Sequence, residues 1–513
     1  MLNSLTIFWG RYPALLYGIS FLLGVSTKLW PSLSLIFPLI FLWIPLLSGI
    51  CTRYRKLLTR LLLSALVFFS GYFYAGMHKI DLTIPSSGIY GTAVLELQEA
   101  SYKKTAIGPR WFVKGTLLEI STQEGTFTPA IPVKLVFNGK ENAFVPSLRT
   151  VWKVEGTLKL SNAQGTFQFK SDPKSPWVPL SQSWKGLFYE KRQEIKDGIK
   201  EYIQIHLNNR SGPFLGGMIV GEFDDIVLRH QFGKFGLQHI LAISGFHFSL
   251  LALALGIFFR LFLPFHYVNI ALIVVLTGYF ILLGLTPSVI RAWAAIVLAL
   301  SAYFISRRPS GLNLLGAGLL AVLLIDPLYA AHMGFQFSFG ITAAILLFCS
   351  RFERSLNRLV PTRPLNIASA WNTAAQHCYI AAYSLKGTLA LSSAVNIAAI
   401  PLVLYHFHSF PLFSLIYNLF FPFFIGISLL LLLLGVFAHA VLGDLGTVVH
   451  WLNAKYTHFV MGMALDAPPS MDIQWYIPEI PVSMILLVMS LIFAAGCWLK
   501  MREDSCNDTD IIF

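Results

Sequence analysis

The sequence predicts a polytopic α-helical membrane protein of about 11–12 transmembrane helices, with one small all-β, OB-like domain inserted on the extracytoplasmic side. Three observations predict it. The chain is 55% hydrophobic and only 12% charged, with mean hydropathy +0.65, whereas a soluble chain carries about a quarter charged residues. Apolar runs near the ~20 residues that cross a bilayer recur along it. One stretch, residues 80–184, has no such run and alternates instead with the period of half-buried strands.

The N-terminal region, residues 1–79, holds three apolar segments: Tyr12–Trp30, Leu33–Ile50 and Leu57–Met77. The short loop between the second and third carries Arg53, Arg55, Lys56 and Arg60. Such a basic loop belongs in the cytoplasm. The N-terminus is then cytoplasmic as well, and the segment after the third helix lies outside. The first segment runs on into further apolar segments without a small-residue cleavage site, so no cleaved signal peptide is expected.

In residues 80–184 five strands are expected, at 90–98, 110–120, 131–137, 151–160 and 165–170. Turn residues separate them, as in "NGKEN" at 138–142 and "SNAQG" at 161–165. Five short strands suit a small barrel, of which the OB-fold is one option. Lysine and arginine, in Lys103, Lys104, Arg110, Lys153 and Lys170, are interleaved here with aromatic Trp111, Phe112, Trp152, Phe167 and Phe169. Cations that track phosphates beside rings that stack on bases suit single-stranded nucleic acid. A soluble barrel with solvated lysines is the competing reading.

Residues 185–208 form an amphipathic helix whose apolar stripe is Leu187, Phe188, Ile195, Ile199, Ile203 and Leu207. It suits the outer membrane interface, with a partner helix as the second option. Residues 209–500 form a large membrane block, with spans expected near 238–262, 267–285, 288–306, 312–325, 331–349, 380–404, 411–436, 443–464 and 482–499. If the first runs inward, the basic loops at 306–310 and 351–364 fall on the cytoplasmic side together with the tail 501–513. The 443–464 segment contains Asp444 and Lys455, and an interfacial helix there would change the count.

Polar residues at membrane depth face a bundle interior or a water-filled path. The stretch "GLQHILAISGFHFS" brings His239, Ser244 and His247 between and beside Gly236 and Gly245, which permit a broken helix. Arg291 stands one turn past Pro287. Gln336 lies in "GFQFSFG", among phenylalanines that packing explains as well as base stacking does. Asn396 precedes Pro401, and the "HFH" of His406 and His408 comes after it. No acidic residue accompanies that triplet, and the five cysteines have no metal spacing, so neither a metal nor a cofactor is expected. There is no phosphate-binding Gly-x-x-x-x-Gly-Lys-Ser/Thr loop, no Gly-x-Ser-x-Gly elbow, no His-Glu-x-x-His and no two-metal cluster, so no catalytic residues are expected. The net charge of +13 reflects in part the positive-inside bias, and the remainder suits a polyanion.

At three blocks the sequence resembles the ComEC family of bacterial competence proteins. "GLQHILAISGFHFSLLA" is similar to that family's "G-L-x-H-L-L-A-I-S-G-L-H" core, with Phe246 departing from the pattern and His247 kept. "GLTPSVIRAWAAIVLALSAYFISRRPSGLNLLGAGLLAVLLIDPLYAAHMGFQFSF" and "NIAAIPLVLYHFHSFPLFSLIYNLFFP" resemble its next two blocks. The resemblance implies that 209–500 is a competence-type channel, importing single-stranded DNA across the bacterial inner membrane in natural transformation. It implies that the 80–184 barrel engages the strand first. It also implies company: a DNA receptor, a cytoplasmic helicase or translocase, and a separate nuclease, with a homo-oligomer left open. Many members carry a C-terminal metallo-β-lactamase-like domain, and this chain is expected to be a form without it. Two other classes stay open, a secondary transporter of a small or lipid-linked anion and a membrane scaffold for envelope proteins.

Overall fold

The structure is a computed structural model. It describes residues 2–30, 55–78, 88–105, 108–122, 125–128, 131–138, 146–161, 166–172, 175–207, 210–223, 226–241, 245–304, 310–364, 367 and 369–509. The expected span Leu33–Ile50 lies outside these residues, as does Ser244.

The chain begins with α1 (Leu2–Arg11), α2 (Pro13–Leu29) and α3 (Arg55–His78). Strands β1 (Ile89–Thr105), β2 (Gly108–Thr122), β3 (Gly125–Phe127), β4 (Ile131–Asn138), β5 (Thr150–Ser161), β6 (Thr166–Ser171) and β7 (Val178–Gln182) come next. Helices α4 (Trp184–His206), α5 (Ser211–Val220), α6 (Ile226–Lys234) and α7 (Gln238–Leu241) continue the chain. The remainder is α8 (Gly245–Arg260), α9 (Phe265–Leu283), α10 (Pro287–Phe304), α11 (Gly311–Ile325), α12 (Met333–Leu356), α13 (Thr373–Phe407), β8 (Ser409–Pro411), α14 (Ser414–Leu442), α15 (Leu445–Leu465), β9 (Gln474–Tyr476) and α16 (Val482–Thr509).

Seven of these helices, α3, α9, α10, α12, α13, α14 and α16, are long and apolar enough to cross a membrane. Four more, α2, α5, α8 and α11, are apolar but shorter. The chain is therefore a polytopic helical membrane protein with an inserted β domain. The apolar run expected at 238–262 is two helices, α7 and α8, as the glycine at its middle permits. Helix α15 is not among the seven. Its buried side includes His450, Asn453 and Thr457, so it packs on protein through polar groups.

Two compact units divide the chain. The first comprises Met1–Lys79, Ser244–Pro422 and Pro468–Phe513. Its core joins Phe21 and Val25 of α2 to Leu319 and Val322 of α11, Phe335 and Phe339 of α12, and Ala394 and Ala398 of α13. In membranes helices pack by close backbone approach at small residues, and here it is explicit. A Cβ on Gly316 of α11 would fall on the backbone of Ala14 and Leu15 in α2. Gly316→Val is therefore expected to destabilise the protein by about 1–3 kcal/mol, since backbone atoms cannot rotate away as a side chain can. Thermal unfolding of the purified protein checks it. Gly387→Val in α13 is the control, because nothing lies within 4 Å of a Cβ there.

The second unit comprises Ile80–Ile243 and Phe423–Ala467. Its sheet closes on itself. Strand β1 pairs with β2, β2 with β4, β4 with β6, β6 with β5, and β5 with β1. Only the β4–β6 pairing is parallel. Counting these five strands 1 to 5 along the chain, the circular order is 1-2-3-5-4, the connectivity of an OB barrel. Closure needs β1 to bend, and two register shifts, at Val94/Leu95 and Leu97/Glu99, supply the bend. Gly91 and Gly156 face each other where β1 meets β5, and a Cβ on either would strike a neighbouring carbonyl. Inward positions such as Leu95, Val113, Leu117, Val133, Val154 and Phe169 fill the core. Helix α4 leaves the barrel through Ser183, which accepts from Gly186 N–H and donates 2.6 Å to Glu96.

Candidate functional site

Two sets of side chains stand where ligands could meet them, one on the barrel and one in the membrane unit. On the barrel, period-2 alternation sends every other residue outward. The pairing then aligns these outward residues into rows across strands. Glu99 of β1 stands opposite Lys114 of β2, Lys114 opposite Lys134 of β4, Lys134 opposite Gln168 of β6, and Gln168 opposite Lys159 of β5. Lys114, Lys134, Lys159 and Gln168 are all exposed. The row thus carries three lysines against one carboxylate, and Glu99 is already engaged by Lys114 at 2.7 Å. Partial desolvation on the barrel wall, and then the adjacent Lys114 charge, pull the Lys134 ammonium below its usual range. An anion placed over this row would relieve that repulsion.

The sequence-derived barrel residues fall in several places. Lys103 and Lys104 stand on β1 opposite Arg110 and Pro109 of β2, near the β1–β2 connection. Arg110, Phe112 and Lys114 share the outward register of β2, and Arg110 and Phe112 are half-buried. Trp111 takes the inward register with Val113 and Leu117 and is half-buried. Lys153 is exposed on β5 opposite Val94, away from the lysine row, and Lys170 is exposed on β6 opposite Thr157. Among the interleaved aromatics, Trp152 and Phe169 belong to the core. The Trp152 Nε1–H donates to Ser147 O at 2.9 Å. Lys114, Lys134 and Lys159 were not singled out by sequence. The alternation of Arg110, Phe112 and Lys114 was a usable signal, but the rows need cross-strand register.

In the membrane unit, Arg291 of α10 donates from Nε to the Ser338 hydroxyl of α12 at 2.6 Å. Its guanidinium reaches the first residue of α8. A Cβ on Gly245 would stand 3.0 Å from an Arg291 terminal nitrogen, so glycine leaves that approach open. His247, in the first turn of α8, is buried. The helix start contributes the positive end of its dipole to the same place as the arginine. Among the described residues no carboxylate pairs with Arg291. A cation and a helix start without a counter-ion suit a phosphate or another anion.

The other expected membrane residues form separate groups. Gln336 donates to Ala330 O at 3.2 Å and accepts from His406 Nε2–H at 2.9 Å. Gln336 and Ser338 are two residues apart on α12, so they point about 200° apart around the helix. The Gln336–His406 pair and the Arg291–Ser338 pair therefore lie on different sides of it. Asn396 donates to Ser392 O at 2.9 Å, one turn back on its own helix. His239 lies in the other unit, exposed on α7, with its Nδ1–H donating to Gly236 O at 3.0 Å. Among the described residues no group of three or more His, Cys, Asp or Glu is placed to hold a metal ion.

Comparison with known proteins meets this geometry in the membrane block. Residues 225–502 match the competence protein family. That match includes Arg291, Ser338, Gln336 and His406. ComE operon protein 3 from Bacillus subtilis (strain 168) is 26% identical over 285 residues, which are 52% of this chain and 32% of that protein. The chain thus spans about a third of the length of the curated relative it matches. No solved structure matches it. A family match over more than half of the chain, on a many-helix membrane protein with an inserted β domain, settles membership: the chain belongs to the ComEC family of competence proteins.

Proposed function

We propose that the protein carries single-stranded DNA across the bacterial inner membrane during natural transformation. In this reading the β domain is extracytoplasmic and receives the strand, and the N-terminus is cytoplasmic. The role is transport rather than catalysis. A DNA receptor, a cytoplasmic helicase or translocase and a separate nuclease are the expected partners, and homo-oligomerisation is an open part of the proposal. One observation carries it most: the outward row Lys114–Lys134–Gln168–Lys159, cationic and spread across four strands of an OB-type barrel. A row of ammonium groups matches a flexible polyphosphate backbone, and Phe112 beside it offers a ring to bases. In the membrane unit Arg291, Ser338 and His247 are the residues we assign to the route, with Gln336 and Asn396 as weaker members.

The test is binding of a fluorescent single-stranded oligonucleotide to the full chain in detergent, read by anisotropy across a salt series. Replacing Lys114, Lys134 and Lys159 together by glutamate is expected to weaken binding at least about tenfold. Because each phosphate contact on a single strand contributes about 0.7 to the log–log salt slope, losing three should flatten that slope by about 2. Lys153→Glu, away from the row, should have a smaller effect. An unchanged slope in the triple variant would remove the barrel from the proposal. A secondary transporter for a small anion is the second reading, because one buried arginine at a helix start suits a small anion as well. It would be favoured by oligonucleotide binding that is absent at low salt.

A further inference from the structure

Three histidines from three helices of the second unit come together away from both sites above. His206 ends α4, His439 lies near the end of α14, and His450 sits on α15. Ring centroids are 4.9 Å apart for His206–His439, 5.2 Å for His206–His450 and 6.4 Å for His439–His450. His450 is fully buried. The backbone makes room at two places. A Cβ on Gly435 would come within 2.7 Å of the His450 ring, and one on Gly446 would strike the backbone of His439, where α14 turns into α15. These contacts make the cluster a built feature and not a chance approach.

The hydrogen bonds leave the cluster short of acceptors. The His206 Nδ1–H donates to Tyr202 O at 2.8 Å. Tyr202 Oη lies 3.4 Å from His450 Nε2. The Nδ1 atoms of His439 and His450 are buried with no hydrogen-bond partner among the described residues. From α4 the titratable group facing the rings is Tyr202, from α14 it is His439, and from α15 it is His450; α5, which also packs on α15, carries no ionisable side chain, and α6 brings Arg229, His230 and Lys234. The nearest acids in sequence, Glu201 on α4 and Asp444 before α15, are both exposed, and neither bonds a ring among the described residues. Among the described residues no carboxylate is bonded to any of the three rings.

We propose that His206, His439 and His450 form a proton-sensitive latch. It holds α4 against α14 and α15 at neutral pH and releases it on acidification. Neutral imidazoles pack face and edge like other aromatic rings. A first proton leaves the next to enter beside an existing charge 4.9–6.4 Å away, with no carboxylate bonded to the rings among the described residues. The separated state exposes imidazole to water, where an ordinary histidine protonates near pH ~6.5. That state takes up more protons as pH falls, so acid favours separation. The end of α4 also lines an apolar cavity of about 340 Å³ with Ile195, Ile199, Tyr202 and Ile203, opposite Leu432 and Val436 of α14. Release of the latch would widen it. The proposal stands whatever the protein transports.

Hydrogen exchange of the full chain in nanodiscs at pH 7.5 and pH 5.5, corrected for intrinsic rates, tests it. Exchange in residues 195–207 of the wild type should rise at least about threefold at the lower pH. His206→Gln, at the ring with the fewest fitted contacts, should remove at least half of that rise. The triple glutamine variant should remove nearly all of it, and the single variant decides if the triple does not fold. His230→Gln and His458→Gln, at exposed positions, should leave the response as it is. A flat response in the wild type, or an equal response in His206→Gln, overturns the latch. Zinc at pH 7.5 that slows exchange in the wild type and not in His206→Gln also overturns it, in favour of a metal site.

Discussion

Arg291→Met in the full chain is expected to lower DNA uptake by about tenfold or more while leaving the protein at least as stable as the wild type. The two halves of this result belong together. A cation in an apolar helix costs up to about 2.5–3.5 kcal/mol on insertion scales, the figure for a helix centre, and Arg291 stands one turn into α10. Arg291 offsets little of that within the described residues, where its hydrogen-bond partner is the Ser338 hydroxyl. Methionine keeps the packing of the stem, which lies against Gly318, and removes the charge. An arginine retained for stability would show the reverse pattern, with loss of folding first. A transformation assay normalised to membrane protein level reads uptake, and thermal unfolding in detergent reads stability. Arg291→Lys separates charge from geometry, because lysine keeps the cation and loses the planar donor that meets Ser338. Wild-type uptake in Arg291→Met would take this residue off the route.

The sequence and the structure part company at identifiable places. Composition and period placed the barrel and most helices, because both signals are local. Leu95, Val113 and Val154 announce a strand by alternation wherever their partners lie. The lysine row was not legible, since Lys114, Lys134 and Lys159 are neighbours only through registers that join four strands. The interleaved aromatics misled for a related reason. Trp152 and Phe169 sit among lysines in the chain, but strand parity turns them inward. The stripe on α4 divides in the same way. Ile203 and Leu207 are buried, whereas Leu187, Phe188 and Ile195 stay exposed. Arg291 was legible as an anomaly, a charge inside an apolar run, while its partner Ser338 was one serine among many. The three histidines of the latch lie 233 and 11 residues apart along the chain, and no spacing rule joins residues that only helix packing brings together.

Glu222→Gln should be the most destabilising single change in the second unit, by about 3–5 kcal/mol. Glu222 lies just past α5 and is buried, bonded to Lys196 at 2.6 Å and Lys200 at 2.9 Å. Lys196 is itself only 2% exposed, so the amide would leave an ammonium buried without its counter-ion. Burial by itself would raise the Glu222 carboxyl, but Lys196 and then Lys200 override it and hold the group at about 2, against an ordinary value of 4.5. That depression sets the sign of the pH effect. The folded state keeps this carboxylate ionised where the unfolded chain protonates it, so its contribution is complete above pH ~4.5 and is lost as pH falls towards about 2. Wild-type stability should therefore decline over that window, and Glu222→Gln should show a smaller decline from a lower start. Lys196→Met combined with Glu222→Leu should recover much of the loss, because the one ammonium then left without its partner is Lys200, which at 20% exposure is better solvated than Lys196. If the double variant is as unstable as Glu222→Gln, the network acts through Lys200 and the geometry of the α4–α5 contact rather than through the buried charge on Lys196.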